Sequence, residues 1–312
     1  MKIPIIRPST RKFFREARKT PHYSLFDFLH GYVYARWPYL YIGVGKGKHP
    51  LTKWFKPLGT FANYIITKTK PDECGDEGVE FADTYHGKVV PIEGARQLVT
   101  INEDIRIADL EQVIPYKRAR SIVMKNPNRI AALECPCRAA MEDPCLPLDV
   151  CLIVGDPIAS FIVEHHPERS RWITREEALQ ILREEDERGH VHHAFFKDAM
   201  LQKFYAICNC CSCCCGAMNI HRNGIPMLAS SGYVSRVDEN LCEKCATCAE
   251  YCQFGALEMG ELSMVVNYDE CMGCGVCVGK CEQGAISLTA DAMKGVPLEI
   301  NALMDGGLVE HS

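Results

Sequence analysis

The chain has 312 residues, 47% of them hydrophobic, and a net charge of −5. That length supports two or three compact units with a sizeable core. Its most apolar stretch, Gly31 to Gly45, is broken by Arg36 and Pro38, and the basic start, Met1–Thr20, has no apolar segment. These features argue against a membrane-spanning helix and against a secretory signal.

Residues 1–70 carry fourteen Lys or Arg and only two acids, Glu16 and Asp27, so the remainder holds a net −17. The same segment is dense in aromatics, among them Phe13, Tyr32, Tyr34, Trp37 and Trp54. Ser24 to Tyr34 reads as an amphipathic helix, and Gly43, Gly45, Gly47 and Pro50 mark a loop. That loop lacks the residue order of a phosphate-binding P-loop. Interleaved Lys, Arg and aromatic residues suit an anionic membrane surface, an acidic subunit or this chain's own acidic body. Nucleic acid ranks last, since no recognised motif for it is present. A plain reading is a small aromatic core with basic residues around it.

Residues 71–78, polar and Gly-containing, read as a linker around Cys74. Lys88–Pro91 and Gln97–Ile101 read as short strands, and Pro115–Lys125 as a helix with Pro near its first position. Ile130–Leu133 reads as a strand leading into Cys135. The clearest helix spans 174–188, with Thr174 as N-cap, Glu177 completing a capping box and Gly189 as the stop. Its acids Glu184, Glu185, Asp186 and Glu187 read as a solvated face.

The last third repeats. Cys242, Cys245, Cys248 and Cys252 recur 29 residues later as Cys271, Cys274, Cys277 and Cys281. The flanks recur too: Asp238-Glu239 with Asp269-Glu270, and Gly255-Ala256-Leu257 with Gly284-Ala285-Ile286. Two copies of one small unit follow.

Each copy reads Cys-x2-Cys-x2-Cys-x3-Cys, which suits a cubane: three sulfurs turn onto one cluster and the fourth serves the other. Cys242, Cys245, Cys248 and Cys281 would hold one [4Fe–4S] cluster; Cys271, Cys274, Cys277 and Cys252 the second. Paired Cys-x2-Cys also binds zinc, but a duplicated run of four favours iron–sulfur. Residues 233–290 resemble the bacterial two-[4Fe–4S] ferredoxin family, which implies single-electron transfer. Gln253 and Glu282 stand where that family usually has Pro, and polar residues there alter hydrogen bonding near a cluster.

Of the nineteen cysteines, ten more form a second group: Cys135, Cys137, Cys145, Cys151, Cys208, Cys210, Cys211, Cys213, Cys214 and Cys215. An odd count at close spacing fits metal-bound thiolates in a reducing compartment better than disulfides. Three readings stay open: a third iron–sulfur or other metal cluster, a redox-active thiol pair, or buried cysteines without chemistry. Neighbours in an extended run face opposite ways, so either a subset binds or two clusters are served. Arg138 would stabilise a reduced cluster or an anionic substrate, or form a salt bridge. His190, His192 and His193 are metal-ligand or proton-donor candidates, or ordinary hydrogen-bonded histidines. Over roughly residues 129–290, with its Cys-x-Cys-Arg at 135–138, the chain also resembles uncharacterised 4Fe–4S dicluster-domain proteins of anaerobic bacteria.

The expected architecture is α+β: a basic aromatic region 1–70, a mixed central domain 71–232, a ferredoxin-like domain 233–290 and a tail 291–312. The expected function is electron transfer, as subunit of or donor to an anaerobic redox enzyme and with a redox partner protein. Alternatives are an oxidoreductase acting at the central cysteine site and a redox or metal sensor. The expected location is cytoplasmic, peripheral on the inner membrane face where residues 1–70 bind lipid.

Overall fold

The computed structural model describes residues 6–52, 84–108, 110–116 and 121–305, with the backbone of 309–311. The linker expected at 71–78 and Cys74 lie outside these. Helices α1 (Pro8–Ala17), α2 (Leu25–Arg36) and α3 (Pro38–Gly45) come first. Then follow β1 (Tyr85–Val90), α4 (Ile92–Thr100), β2 (Ile105–Ile107), β3 (Ile122–Leu133), α5 (Pro136–Ala139) and β4 (Cys151–Asp156). The middle continues with α6 (Ile158–His165), β5 (Ser170–Ile173), α7 (Arg175–Glu187), β6 (Val191–Lys197), β7 (Lys203–Cys210), α8 (Gly216–Arg222) and β8 (Leu228–Ala229). The last part holds β9 (Tyr233–Val237), α9 (Thr247–Glu250), β10 (Leu257–Met259), β11 (Met264–Val266), α10 (Val276–Gly279), β12 (Ile286–Ala290), α11 (Ile300–Asp305) and β13 (Val309–His311). The fold is mixed α+β, as expected. No described helix is long and apolar enough to cross a membrane.

Nine strands make the central sheet, in the order β13-β2-β3-β4-β7-β6-β1-β8 with β5 added on β3. Side chains alternate between its faces. Ile130, Ala132, Leu152, Val154, Phe196 and Ile207 join one core with Leu98 of α4 and Leu182 of α7. Ala131, Leu133, Ile153, Phe195, Ala206 and Cys210 join the other, with Phe13 of α1, Ala35 of α2 and Phe161 of α6. The basic segment, over residues 6–52, therefore folds back on the body. Lys12 pairs with Asp156 at 2.8 Å and Glu16 with Lys125 at 2.9 Å, while Phe13 is fully buried and meets Phe28 and Phe161 edge-on.

Three expected elements are corrected. Gln97–Ile101 lies mainly in α4, because Ala95, Leu98 and Val99 bury one helical face against the sheet, and that packing overrides the β propensity of Val-Thr-Ile. Pro115–Lys125 gives way to β3 from Ile122 on: Ile122 and Met124 are buried and pair with Ile107 and Ile105 of β2. Gly43 and Gly45 complete α3, and the turn begins only after them. A helix does start at Ser24, with a reciprocal capping box between Ser24 and Asp27, but it is not amphipathic: Leu25, Phe26, Leu29 and Val33 are exposed and Asp27 is buried. Helix α7 starts at Thr174 as expected, its Oγ1 accepting from the Glu177 N–H at 3.2 Å, but the box is not completed: the Glu177 carboxylate pairs with Arg171 instead. The helix stops at Gly189, whose φ of +80° an L side chain resists.

In the last third, the sequence repeat is also a repeat of backbone. Lys244, Ala246 and Gly255 adopt left-handed φ values of 59°, 64° and 68°, and 29 residues on Gly273, Gly275 and Gly284 adopt 63°, 85° and 62°. Strands β9 and β12 pair antiparallel, as do β10 and β11.

Candidate iron–sulfur and cysteine sites

In the repeated domain, the thiol set fits two cubanes. Burial raises the Cys274 thiol, and the charges that add to this are Cys277, Cys252 and Cys271. Burial raises Cys248, with Cys245 and Cys281 adding. Each three-cysteine loop is thus faced by the last cysteine of the other copy. Donors are already aimed at the sulfurs: Ala256 N–H to Cys252 Sγ and Ala285 N–H to Cys281 Sγ, both at 3.2 Å, and Ser235 N–H to Cys271 Sγ at 3.5 Å. Hydrogen bonds to sulfur favour the thiolate that a cluster requires. Cys245 is exposed, whereas Cys271 and Cys277 are buried. The second copy faces inward: its Met272 and Val276 belong to the same apolar cluster as Cys135 and Cys151.

Strand register assembles the central site. Leu133 of β3 pairs with Cys151, so the chain leaving β3 delivers Cys135 beside the start of β4. Leu152 pairs with Ile207 and Ile153 with Ala206, which sets Cys151 next to Cys208. Cys208 and Cys210, two apart on β7, share a face. Cys135 caps α5, which carries Cys137, and Cys215 stands at the start of α8. These six cysteines line one cavity with Tyr34, Tyr85 and Tyr205. Hydrogen bonds from Cys137 and Cys151 hold the Cys135 thiol well below its ordinary value, against the opposing effect of burial. A hydrogen bond from Cys210 lowers the Cys215 thiol, also against burial. Of the remaining four, Cys145, Cys211, Cys213 and Cys214 have sulfurs mutually within 4.8 Å. The ten cysteines therefore fall into a set of six around the cavity and a set of four, of which Cys211 and Cys214 also line the cavity.

Arg138, on α5, lines the same cavity and is 1% exposed. It donates to Glu185 Oε2 at 2.5 Å, to Pro147 O at 2.5 Å and to Asn209 O at 3.0 Å. Glu185 is fully buried, which corrects the expectation of a solvated face at that residue, while Glu184, Asp186 and Glu187 stay partly or fully exposed; Glu185 turns inward because Arg138 and His190 meet it there. Burial pushes its carboxyl up, but the His190 hydrogen bond and the Arg138 charge hold it below its ordinary value. His190 bonds Glu185 at 2.7 Å and His192 bonds Asn209 Oδ1 at 2.6 Å. His193 is buried, and desolvation lowers it to about 3.

Two residues acquire roles that motif reading did not give them. Lys46 donates to Cys137 O at 2.9 Å and to Cys214 O at 2.7 Å, tying together the two cysteine segments; its only signal was the Gly-Val-Gly-Lys run. Gln253, noted only as a departure from Pro, accepts from the Ser212 N–H at 2.8 Å and donates to Gly189 O at 3.0 Å. It joins Cys252 directly to the cysteine run. Lys280 donates to Glu187 O at 2.5 Å nearby.

The family described as "4Fe-4S binding domain" matches twice, at residues 235–258 and 264–287. Ferredoxin-1 of Caulobacter vibrioides is 41% identical over 64 residues, which cover 20% of this chain and 57% of that protein. The chain thus spans little more than half the length of that relative. Residues 235–287 thus match a 4Fe–4S binding domain in two copies, consistent with a two-cluster ferredoxin-type domain, and this supports an iron–sulfur electron-transfer role.

Proposed function

We propose that the protein carries electrons between a redox partner and a third metal–sulfur site of its own, as a subunit of, or donor to, an enzyme of anaerobic metabolism. The observation that carries this reading is Gln253. The residue after Cys252 hydrogen-bonds the Ser212 N–H, so the inner half of the ferredoxin-type domain abuts the central cysteines without an intervening loop. Two cubanes bound by the eight repeated cysteines supply one-electron transfer. The protein's residues set the direction: Cys245 is open to solvent, where a partner docks, while Cys271 and Cys277 are sheltered against the central domain.

The third site in this reading is Cys135, Cys137, Cys151, Cys208, Cys210 and Cys215. Six reduced thiols around one apolar cavity exceed the four that a cubane takes, and the Arg138 guanidinium offsets part of their charge. Iron and sulfide analysis with electron paramagnetic resonance tests it. About eight irons per chain means the repeated domain alone. A larger count, reduced by Cys135→Ala or Cys210→Ala, supports the third site.

A second reading, an oxidoreductase in its own right, draws support from the tyrosines. Tyr34 and Tyr205 hydroxyls lie 2.8 Å apart on the same cavity, and the Lys197 ammonium, lowered by burial to about 8, stands over the Tyr34 and Tyr85 rings. This places proton donors beside thiols. Oxidation of reduced viologen by candidate acceptors, slowed by Tyr205→Phe, separates enzyme from carrier.

Docking to an anionic membrane remains part of the proposal. Leu25, Phe26, Leu29, Val33 and Trp37 are exposed along α2, and Arg11, Arg15, Arg18 and Lys19 are exposed on and just after α1. Salt-sensitive binding to anionic vesicles, lost in Phe26→Ser/Leu29→Ser, is the expected result; no binding at low salt removes the idea.

A further inference from the structure

The outer cysteines form a site of another kind. Cys145, Cys211, Cys213 and Cys214 have sulfurs all within 4.8 Å of one another. Cys145 Sγ is 3.2 Å from Cys213 Sγ, which is 3.6 Å from Cys214 Sγ. We propose that these four thiolates hold a single thiolate-preferring divalent ion, Zn2+ or Fe2+, in a tetrahedral site separate from every iron–sulfur cluster.

Dimensions decide between the possible occupants. A tetrahedron with metal–sulfur bonds of ~2.3 Å has sulfur–sulfur edges of roughly 3.8 Å, which matches this set. In a cubane each thiolate binds a different iron, so the four sulfurs stand farther apart than around one ion. A disulfide needs sulfurs at ~2.0 Å, much closer than the 3.2 Å of the nearest pair. Four soft sulfur donors select zinc or iron over magnesium or calcium.

The local backbone explains how a crowded run supplies three ligands. Strand β7 ends at Cys210, and residues 212–214 form a turn. The Cys215 N–H closes it by donating to Cys211 O at 3.0 Å. In a turn, unlike a strand, neighbouring side chains such as Cys213 and Cys214 reach the same point. Cys145 arrives from the loop after α5, 68 positions away in sequence.

Charge favours the same occupant. Four thiolates around a divalent ion carry a net double negative charge. Lys46 Nζ sits on Cys214 O at 2.7 Å and Arg222 donates to Ser212 O at 3.3 Å, so two cations flank the turn. Cys213 is exposed, which leaves the site open to loading from solvent. Once bound, the ion ties the loop carrying Cys145 to Cys211 and Cys214, which also line the inner cavity.

The test is metal analysis of the full-length protein prepared without air, as wild type, Cys145→Ser and Cys213→Ser. Each variant should lack one equivalent of zinc or of iron while keeping the visible absorption of the ferredoxin-type domain. The metal that falls identifies the ion. Added Zn2+ should be retained through desalting at one equivalent more in wild type than in either variant when the site starts empty. Zinc and iron contents equal to wild type in both variants, both as prepared and after the added Zn2+ and desalting, overturn the proposal. So does loss of about four irons, which would mark a cubane, or a metal-free Cys145–Cys213 disulfide in the air-free protein. The result is independent of the inner six cysteines, which are read separately through Cys135→Ala.

Discussion

The ferredoxin-type domain and the central domain both gather cysteines, but by opposite routes. In the former, ligand spacing is written in the chain: two-residue gaps and left-handed residues at 244, 246, 273 and 275 turn three sulfurs inward in each copy. In the latter, Cys135, Cys151 and Cys208 are far apart in sequence and meet only because β3, β4 and β7 pair in one register. A local site survives damage elsewhere, whereas a site made by register depends on the whole sheet.

The two regions also carry separate probes, since all three tryptophans, Trp37, Trp54 and Trp172, lie outside residues 233–290. The largest expected effect comes from Arg138→Ala, which takes away the buried cation of Glu185 and leaves it His190 and the half-exposed Arg188 at 3.2 Å. Breaking such a pair costs ~3–5 kcal/mol. Tryptophan fluorescence in urea should show an early transition while visible absorption of the ferredoxin-type domain persists. Simultaneous loss of both signals would end the contrast drawn above.

Next comes Gly189→Ala. A Cβ there would sit 2.4 Å from Tyr251 Cδ1, and φ is +80°. The overpacking costs ~1–3 kcal/mol, and it should loosen the contact between the regions, seen as faster proteolysis there with iron content unchanged. Gln253→Pro should cost about 1–2 kcal/mol by removing two hydrogen bonds. The eight ferredoxin-type thiols would keep their iron, but electron exchange with the central site should slow in stopped-flow reduction. An unchanged rate would remove Gln253 from the route.

The smallest effect is a pH dependence. Burial lowers His165 to about 4, with Arg7 and Arg36 adding. Its folded-state value is below the unfolded one, so the neutral ring stabilises the fold above the free-histidine value of about 6.5. Stability then falls as pH drops from there toward about 4, by ~1 kcal/mol over the first unit. His165→Gln should flatten that slope in urea midpoints measured across the range. Glu185, held low, contributes above the ordinary carboxylate range and loses its share only as pH falls through its folded value.

The legibility of the sequence follows the same division. Helix α7 was readable from Thr174 and Gly189, since caps are local chemistry. The segment Gln97–Ile101 was misread because its β-branched residues say strand, while Ala95 and Leu98 bury a helical face against a sheet built from distant residues. Glu185 was misread for a related reason: nothing near it in the chain announces that Arg138, 47 positions earlier, comes to meet it.

By itself the sequence determined the duplicated cysteine runs, because those depend on spacing within a few residues. Only the tertiary structure decided how the other ten cysteines divide. Side-chain direction in β7 and in the turn after it, and the partner that each strand brings alongside, are set by pairing across the sheet, and local spacing carries no record of that.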